Sequence, residues 1–228
     1  MKTLRALLTA LAITCVTAGT PTVFADSKGT VLITGANRGI GLALANRFGE
    51  AGYEVIGTAR KPANANELQA LGARVEQLDV TDQASVDALA KRLDGIAIDI
   101  LINNAGIIGH SAENLASLDV NKLDVVLDVN TLGPLRVTQA LLSNVERSDK
   151  KTVANISSMM GSMELNTWGC CIGYRASKAA LNSMTTTLAH DLGKQGLVFV
   201  TLHPGYVQTD MNDGQGQITP TQSCLLYT

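Results

Sequence analysis

Two side chains in the segment YRASK are of the types that move protons. Tyr174 and Lys178 lie four residues apart, so on a helix they share one face. The phenol of tyrosine has an ordinary pKa of about 10, which makes it a poor acid/base group at neutral pH. A nearby ammonium favours the phenolate and lowers that pKa. We therefore expect Lys178 to tune Tyr174 as a proton donor to a substrate oxygen.

A glycine-rich turn follows the first apolar run of the chain. The segment TGANRGIG (34–41) has Gly35, Gly39 and Gly41 where a strand pattern changes to a helix pattern. Glycine lets the backbone approach a pyrophosphate closely, and a helix N-terminus offers unpaired N–H groups with a partial positive charge. The segment therefore indicates a dinucleotide site, and an ordinary tight turn is the alternative interpretation.

Two arginines favour one dinucleotide over the other. Arg60 ends the second strand pattern about twenty residues beyond the glycines, where a dinucleotide fold reads the adenosine ribose. A carboxylate there would accept from a ribose 2′-hydroxyl, whereas the planar cation of Arg60, helped by Arg38, suits a 2′-phosphate. We expect NADP(H) to be preferred over NAD(H), and two solvated arginines are the alternative.

Six short apolar runs alternate with helical patterns and must position these residues. The runs lie at 30–34, 53–59, 73–80, 99–103, 152–157 and 197–203. They show little polar alternation, which is typical of strands covered on both faces. Amphipathic segments such as 85–95 lie between them. The alternation predicts a single α/β domain with a doubly wound parallel sheet, which is a Rossmann fold.

The composition argues against several classes of function. The 228 residues are 46% hydrophobic and 17% charged, with a formal net charge of -2, which suits one domain with a sizeable core. Since Lys and Arg form no run, we expect no nucleic-acid partner. The histidines and cysteines lack metal-ligand spacing, so no metal is expected. Beyond the N-terminal region, Cys170, Cys171 and Cys224 form no disulfide framework.

The first 25 residues have the pattern of a secretory signal. Lys2 and Arg5 precede an uncharged apolar stretch, and residues 23–25 resemble a cleavage site. We expect residues 1–25 to be a signal peptide and 26–228 to be the folded domain. The product would then be exported or periplasmic, with no membrane span after processing. A membrane anchor, a lipid on Cys15 and a cytoplasmic product from a later start are the alternatives.

Six motifs in one order resemble the short-chain dehydrogenase/reductase family over residues 29–219. They are the glycine turn, NNAG (103–106), VNTLGPL (129–135), NISS (155–158), YRASK (174–178) and PGYVQTDM (204–211). Several of them are most similar to the C-factor and sniffer-like carbonyl reductases of that family. The resemblance implies hydride transfer between NADP(H) and a small-molecule carbonyl compound or secondary alcohol.

The resemblance also implies which residues form the site. Asn130 would hold a water in a proton relay, and Ser158, in preference to Ser157, would bind the substrate oxygen. Tyr174 would donate the proton, while Lys178 would tune it and bind the nicotinamide ribose. The implied cofactor-binding residues are Gly35, Asn37, Arg38, Gly39, Ile40, Gly41, Arg60, Asp79, Val80, Asn103, Asn104, Ala105, Gly106, Tyr174, Lys178, Pro204, Gly205, Val207 and Thr209.

The end of the chain bears on its activity. The family pattern continues with a final helix and a last parallel strand, so we expect both to be missing and a neighbouring strand to have an open edge. The alternative functions are a non-catalytic dinucleotide-binding or cell-surface signalling protein of the C-factor type, or an inactive truncated family member. The resemblance further implies a homodimer, paired through the helices that carry Asn130 and Tyr174. Apolar residues between 159 and 171 either line a substrate pocket or pack a loop.

Overall fold

A computed structural model describes residues 27–109 and 115–224 of the chain. The expected signal peptide, residues 1–25, lies outside the described residues. The strands are β1 Thr30–Ile33, β2 Glu54–Ala59, β3 Arg74–Gln77, β4 Ile100–Asn103, β5 Thr152–Ile156 and β6 Val198–Leu202. The α-helices are α1 Gly39–Glu50, α2 Asn66–Ala70, α3 Gln83–Arg92, α4 Val120–Leu127, α5 Gly133–Ala140, α6 Leu142–Glu146, α7 Ile172–Leu192 and α8 Pro220–Cys224.

The six strands form one parallel sheet in the order β3-β2-β1-β4-β5-β6. All six coincide with the apolar runs of the sequence, so the predicted α/β fold with a doubly wound sheet is confirmed. Helical crossovers are required because parallel neighbours cannot be joined by a tight hairpin. Among the described residues β6 is an edge strand, with β5 on one side only.

Side chains of each strand point alternately into two cores, one on each face of the sheet. Leu32 packs with residues of α3 and α5, including Leu89 and Val137. Its neighbours in β1, Val31 and Ile33, pack on the opposite face with residues of α1 and α2, such as Leu44 and Leu68. This double coverage explains why the strands read as continuous apolar runs.

The direction of the chain through the sheet brings the motifs to one edge. The order of the strands in the sheet reverses at β1, which pairs with β2 on one side and β4 on the other. A crevice opens there, because the loops that follow β1 and β4 lead to opposite faces of the sheet. The loops after β1, β2, β4 and β5 all leave from this edge and carry Gly35, Arg60, Asn104 and Ser158.

Two further properties concern the described residues alone. None of their helices combines the length and the apolar character needed to cross a bilayer. They also contain no cluster of three or more His, Cys, Asp or Glu side chains arranged to hold a metal ion.

Candidate active site

The backbone of the glycine loop between β1 and α1 packs closely against Ala105 and against itself. A Cβ atom on Gly35 would lie 3.0 Å from the Cα of Ala105, and one on Gly41 would lie 2.5 Å from the carbonyl oxygen of Gly35. No side chain of the described residues caps the N-terminus of α1 at Arg38. The first N–H groups of α1 therefore remain available to an anion, so the loop fits a pyrophosphate.

Hydrogen bonds from the NNAG segment hold the glycine loop in this conformation. The Nδ2 of Asn104 donates to the carbonyl oxygens of Thr34 and Gly35, at 2.9 and 3.1 Å. In return, the Thr34 hydroxyl accepts from the backbone N–H groups of Asn104 and Ala105, both at 3.0 Å. Asn104 and Ala105 thus shape the floor of the crevice, and Thr34, which is part of the glycine-rich segment but was not predicted as a site residue, supports them.

The side chain of Asn103 bonds inside the domain. Its side chain is buried and its Nδ2 donates to Thr138 Oγ1 at 3.1 Å and to Asn155 Oδ1 at 2.8 Å. Asn155 continues the network by donating to Thr185 in α7 at 2.8 Å. The amide of Asn103 therefore joins β4, β5 and two helices inside the domain.

Arg38 and Arg60 border the crevice, each near a carboxylate. The Nη1 of Arg38 lies 3.3 Å from Oδ2 of Asp210, in an ion pair that is largely exposed. Arg60 follows β2 and is exposed. Asp79 has a pKa below its usual value, because its carboxylate accepts from the Thr81 hydroxyl and backbone and because Arg60 is close. The two cations are thus exposed at the crevice, and neither Asp210 nor Asp79 was predicted as a partner.

Val80 has a different environment from Asp79. It is 8% exposed, and its side chain would lie 2.9 Å from a Cβ on Gly133 in α5. Its carbonyl oxygen accepts from Nη1 of Arg136 at 3.3 Å. Val80 therefore anchors the end of the loop after β3 to α5.

Tyr174 and Ser158 come together at the end of β5. Ser158 lies close enough to the phenol to lower its pKa, but burial of the ring has the larger effect and leaves that pKa above its usual value. A thiolate at nearby Cys171 would raise it further. The Ser158 hydroxyl also accepts from the N–H of Met160 at 3.1 Å, which begins a short 3₁₀ turn.

Lys178 lies one turn after Tyr174 in α7. Its side chain is buried, and its Nζ donates to the carbonyl oxygen of Ile156 at 2.8 Å. The amine lies 5.7 Å from the centroid of the Tyr174 ring. Removal from water disfavours the charged amine and lowers the pKa of Lys178 from 10.5 to about 8.

The tuning of Tyr174 by Lys178 stays a prediction, since the causes of the shift at Tyr174 lie elsewhere in the chain as described. Lys178 is not among the causes of the shift at Tyr174, and the shift is upward. The reason is geometric, because Nζ faces the ring and bonds to Ile156 while burial disfavours the phenolate.

Asn130 occupies a π-helical turn, Asp128–Leu132, between α4 and α5. Its side chain is fully buried; Nδ2 donates to the Ile107 carbonyl at 2.8 Å and to Ser177 Oγ at 3.0 Å. Its Oδ1 accepts from the Ile107 N–H at 2.9 Å and lies 3.3 Å from where a Cβ on Gly106 would be. Asn130 thus ties the loop after β4 to α7, and single π-helical turns occur often at functional sites.

The segment after β6 contacts the glycine loop. The methyl group of Thr209 would lie 3.5 Å from a Cβ on Gly39, so this segment touches the glycine loop. Ser223 donates to the Pro204 carbonyl at 2.7 Å, and Val207 pairs with Ile218 in an isolated bridge.

His203 is a residue near the site that the sequence did not single out. Its Nδ1 accepts from the backbone N–H of Met159 at 3.3 Å, directly after Ser158. Since β6 carries no motif at this position, only the pairing of β5 with β6 reveals the contact. In the segment between Ser158 and α7, Met163 and Trp168 are 88% and 56% exposed, so these two side chains do not pack the interior of a loop.

The family model described as short chain dehydrogenase matches residues 29–218. The chain belongs to the short-chain dehydrogenase family. The match covers the described crevice from the glycine loop to Ile218, and members of this family are oxidoreductases.

Two relatives are similar to the chain in sequence. The 1-hydroxy-2-glutathionyl-2-methyl-3-butene dehydrogenase of Rhodococcus sp. (strain AD45) is 37% identical over 201 residues, which is 85% of this chain and 86% of that protein. The C-signal protein of Myxococcus xanthus is 45% identical over 114 residues, which is 50% of this chain and 68% of that protein.

Two solved structures share the fold. A short-chain dehydrogenase/reductase from Burkholderia multivorans with bound NADP has a TM-score of 0.79 and 30% identity, over 86% of this chain and 87% of that one. The carbonyl reductase Sniffer of D. melanogaster has a TM-score of 0.80 and 28% identity, over 86% and 88%. The predicted similarity to C-factor and sniffer-like members is confirmed.

Proposed function

We propose that the chain is an NADP(H)-dependent oxidoreductase that interconverts a small-molecule carbonyl compound and a secondary alcohol. The proposal depends above all on the proximity of Ser158 to Tyr174, with the buried amine of Lys178 over the ring. These groups lie at the same edge of the sheet as the glycine loop. The fold shared with an NADP-bound structure supports a nicotinamide cofactor here.

The residues of the crevice fit the parts of such a cofactor. The glycine loop and the uncapped N-terminus of α1 would hold the pyrophosphate. Lys178 gives one hydrogen to Ile156, so its other hydrogens can bind the nicotinamide ribose. The cofactor, when bound, supplies or accepts the hydride.

The chain's own contribution to the reaction is to place and move a proton. During reduction, negative charge develops on the carbonyl oxygen, which needs a donor in reach. Tyr174 donates its hydroxyl proton to that oxygen, and the Ser158 hydroxyl donates a hydrogen bond to it. Because the pKa of Tyr174 is raised, the phenol carries its proton at neutral pH and can donate it as the carbonyl oxygen gains negative charge. In the oxidation of an alcohol, the Tyr174 oxygen accepts the proton instead.

Asn130 acts in this proposal chiefly as a positioning residue. Both hydrogens of its amide are used within the protein, by Ile107 and Ser177. A relay water would therefore be held by acceptor oxygens of Asn130, either the second lone pair of Oδ1 or the backbone carbonyl. The water would return a proton to Lys178, whose Nζ is 3.8 Å from a Cβ position on the same Gly106.

Preference for NADP(H) is part of the proposal and depends on the charge at the crevice. Arg38 and Arg60 are both exposed beside the expected position of the adenosine ribose. The ion pair of Arg38 with Asp210 is exposed and long, so a 2′-phosphate can replace it at little cost. A guanidinium binds a phosphate through two parallel hydrogen bonds, which a ribose hydroxyl cannot offer.

The decisive experiment compares Tyr174→Phe with Tyr206→Phe. Tyr206 is 50% exposed and its hydroxyl bonds to Gln215, so its substitution controls for loss of a phenol elsewhere. We expect Tyr174→Phe to lose turnover of a model aldehyde or ketone roughly 10²- to 10⁴-fold. Binding of NADPH, followed by cofactor fluorescence, should stay within a few-fold. Unchanged turnover in Tyr174→Phe would contradict the proposal.

A signalling protein of the C-factor type is the second candidate function. It is favoured by the 45% identity to C-signal of Myxococcus xanthus, which extends over 114 residues of this chain. The two candidates predict different behaviour of Tyr174→Phe in a cell-based signalling assay. A signalling role without chemistry would survive that substitution, whereas a signal that depends on the oxidoreductase activity would be lost.

Pairing into a homodimer is proposed for the helices that carry the site. On α4 and the π-helical turn that follows, Val120, Val125 and Leu132 are 63%, 54% and 43% exposed, which is unusual for apolar side chains. Light scattering of the wild type should give twice the chain mass, and Val125→Glu should give the single mass.

A further inference from the structure

Two cysteines lie next to each other where the segment after Ser158 enters α7. Cys170 is exposed, whereas Cys171 is 5% exposed and occupies the N-cap position of α7. Their sulfur atoms lie 2.6 Å apart and are not joined by a disulfide. We propose that Cys170 and Cys171 form a reversible redox site, which closes to a vicinal disulfide by exchange with a low-molecular-weight disulfide such as oxidised glutathione.

The backbone holds both cysteines in an unusual conformation. Their φ angles are 65° and 56°, so two consecutive non-glycine residues are left-handed. This region is uncommon for residues with a side chain, and consecutive cases are rarer still. The surrounding structure must therefore impose it.

Arg175 supplies the contacts that impose this conformation. Its Nε donates to the carbonyl oxygens of Gly169 and Cys170, both at 3.1 Å. Its guanidinium lies 4.6 Å from the centroid of the Trp168 ring, and the Arg175 residue is 7% exposed. These contacts hold the backbone at Gly169 and Cys170, and in this conformation the two thiols face each other.

Because Cys170 is exposed and Cys171 is buried, Cys170 should react first with the small disulfide. The Cys170 thiolate attacks one sulfur of the small disulfide, which forms a mixed disulfide and releases one small thiol. The Cys171 thiolate then attacks the Cys170 sulfur and releases the second small thiol. Two cysteine thiols are oxidised and one small disulfide is reduced to two thiols, which take up the two protons.

Adjacency makes this disulfide suited to reversible use. Consecutive Cα atoms are about 3.8 Å apart across a trans peptide. That separation is below the usual range of about 4.4–6.8 Å for bridged cysteines, and such departures make a disulfide easier to reduce. Readily reduced disulfides serve regulation or catalysis more often than structural support.

The pair lies beside the candidate active site. Cys171 is three residues before Tyr174 in the chain, and its charge affects the Tyr174 phenol. The third described cysteine, Cys224, is buried in the core beside α1, with its sulfur 3.9 Å from the Ile40 carbonyl. Cys224 therefore serves as a matched control.

The test is mass mapping of the full chain after incubation with oxidised glutathione and blocking of remaining thiols. Trypsin should release residues 152–175, which carry both cysteines. We expect the mass of this peptide to fall by two hydrogens, with no glutathione attached. Reduction with dithiothreitol should restore the two hydrogens. A lasting glutathione adduct on Cys170, a link to Cys224 or to a second chain, or no reaction would each overturn the proposal.

Two variants locate the steps. In Cys171→Ser the resolving thiol is absent, so the adduct on Cys170 should persist instead of being released. Cys224→Ser should form the same peptide product as the wild type. Because the product is measured on the wild type, the test does not depend on either variant folding.

Discussion

The amine of Lys178 lies over the ring of Tyr174 and donates its hydrogen bond to a backbone carbonyl. Nζ is 5.7 Å from the ring centroid, and its hydrogen bond goes to the Ile156 carbonyl at 2.8 Å. A cation over an aromatic face is attracted by the ring. In the chain without cofactor, burial therefore decides the pKa values of both groups.

The first prediction concerns the titration of Tyr174. Because burial raises its pKa, the phenolate should form only above the ordinary value of about 10. Ultraviolet difference titration of the wild type against Tyr174→Phe isolates this tyrosine from the others. A midpoint near neutral pH in the cofactor-free protein would contradict the burial argument.

The lowered pKa of Lys178 should make the free energy of unfolding depend on pH. Its pKa is about 8 in the folded chain and 10.5 as the ordinary value, so between these values the unfolded state binds more protons. Stability should therefore rise with pH across this window, by roughly 3 kcal/mol in all from this residue. Urea denaturation from pH 7 to 10 measures it. Lys178→Met has no amine to titrate and should lack this rise; an equal rise in that variant would refute the assignment.

Two glycines of α1 should respond oppositely to alanine. A Cβ on Gly41 would lie 2.5 Å from both the Gly35 carbonyl oxygen and Asn104 Nδ2, so Gly41→Ala must displace the loop. We expect it to destabilise the fold by roughly 1–3 kcal/mol and to abolish NADPH binding. A Cβ on Gly49, by contrast, comes no closer than 4.0 Å to Val55.

Gly49→Ala is therefore the control on the same helix. It should stabilise the chain by roughly 0.4–1 kcal/mol and leave cofactor binding unchanged. Thermal denaturation and fluorescence titration read both effects. Equal behaviour of the two variants would show that the close contacts at Gly41 are unimportant.

The arginines of the crevice predict cofactor selectivity. Arg60→Ala should weaken NADPH binding by roughly tenfold or more, since a charged hydrogen bond contributes about 1.5–3 kcal/mol, and should leave NADH binding nearly unchanged. Arg38→Ala should act in the same direction. Lys91→Ala removes an exposed charge from α3 and is the control. A parallel loss for NADPH and NADH in Arg60→Ala would exclude a role in 2′-phosphate recognition.

Much of this protein was readable without coordinates because its signals are local. The apolar runs predicted all six strands, since a strand buried on both faces needs apolar side chains at nearly every position. The glycine turn, NNAG and YRASK were recognised because close backbone approach and proton transfer each require particular residue types at short spacing. Family membership followed from the order of these motifs and is confirmed.

Only the tertiary structure determined the contacts between segments that are far apart in the chain. The partners of Asn130 lie 23 and 47 residues away, and the pairing of Arg38 with Asp210 spans 172 residues. No local pattern encodes such pairs, because they depend on how the sheet stacks its crossovers. The same holds for the direction of the pKa shift at Tyr174. The sequence placed a lysine one turn away, but burial and orientation, which arise only in the folded domain, determine which effect is larger.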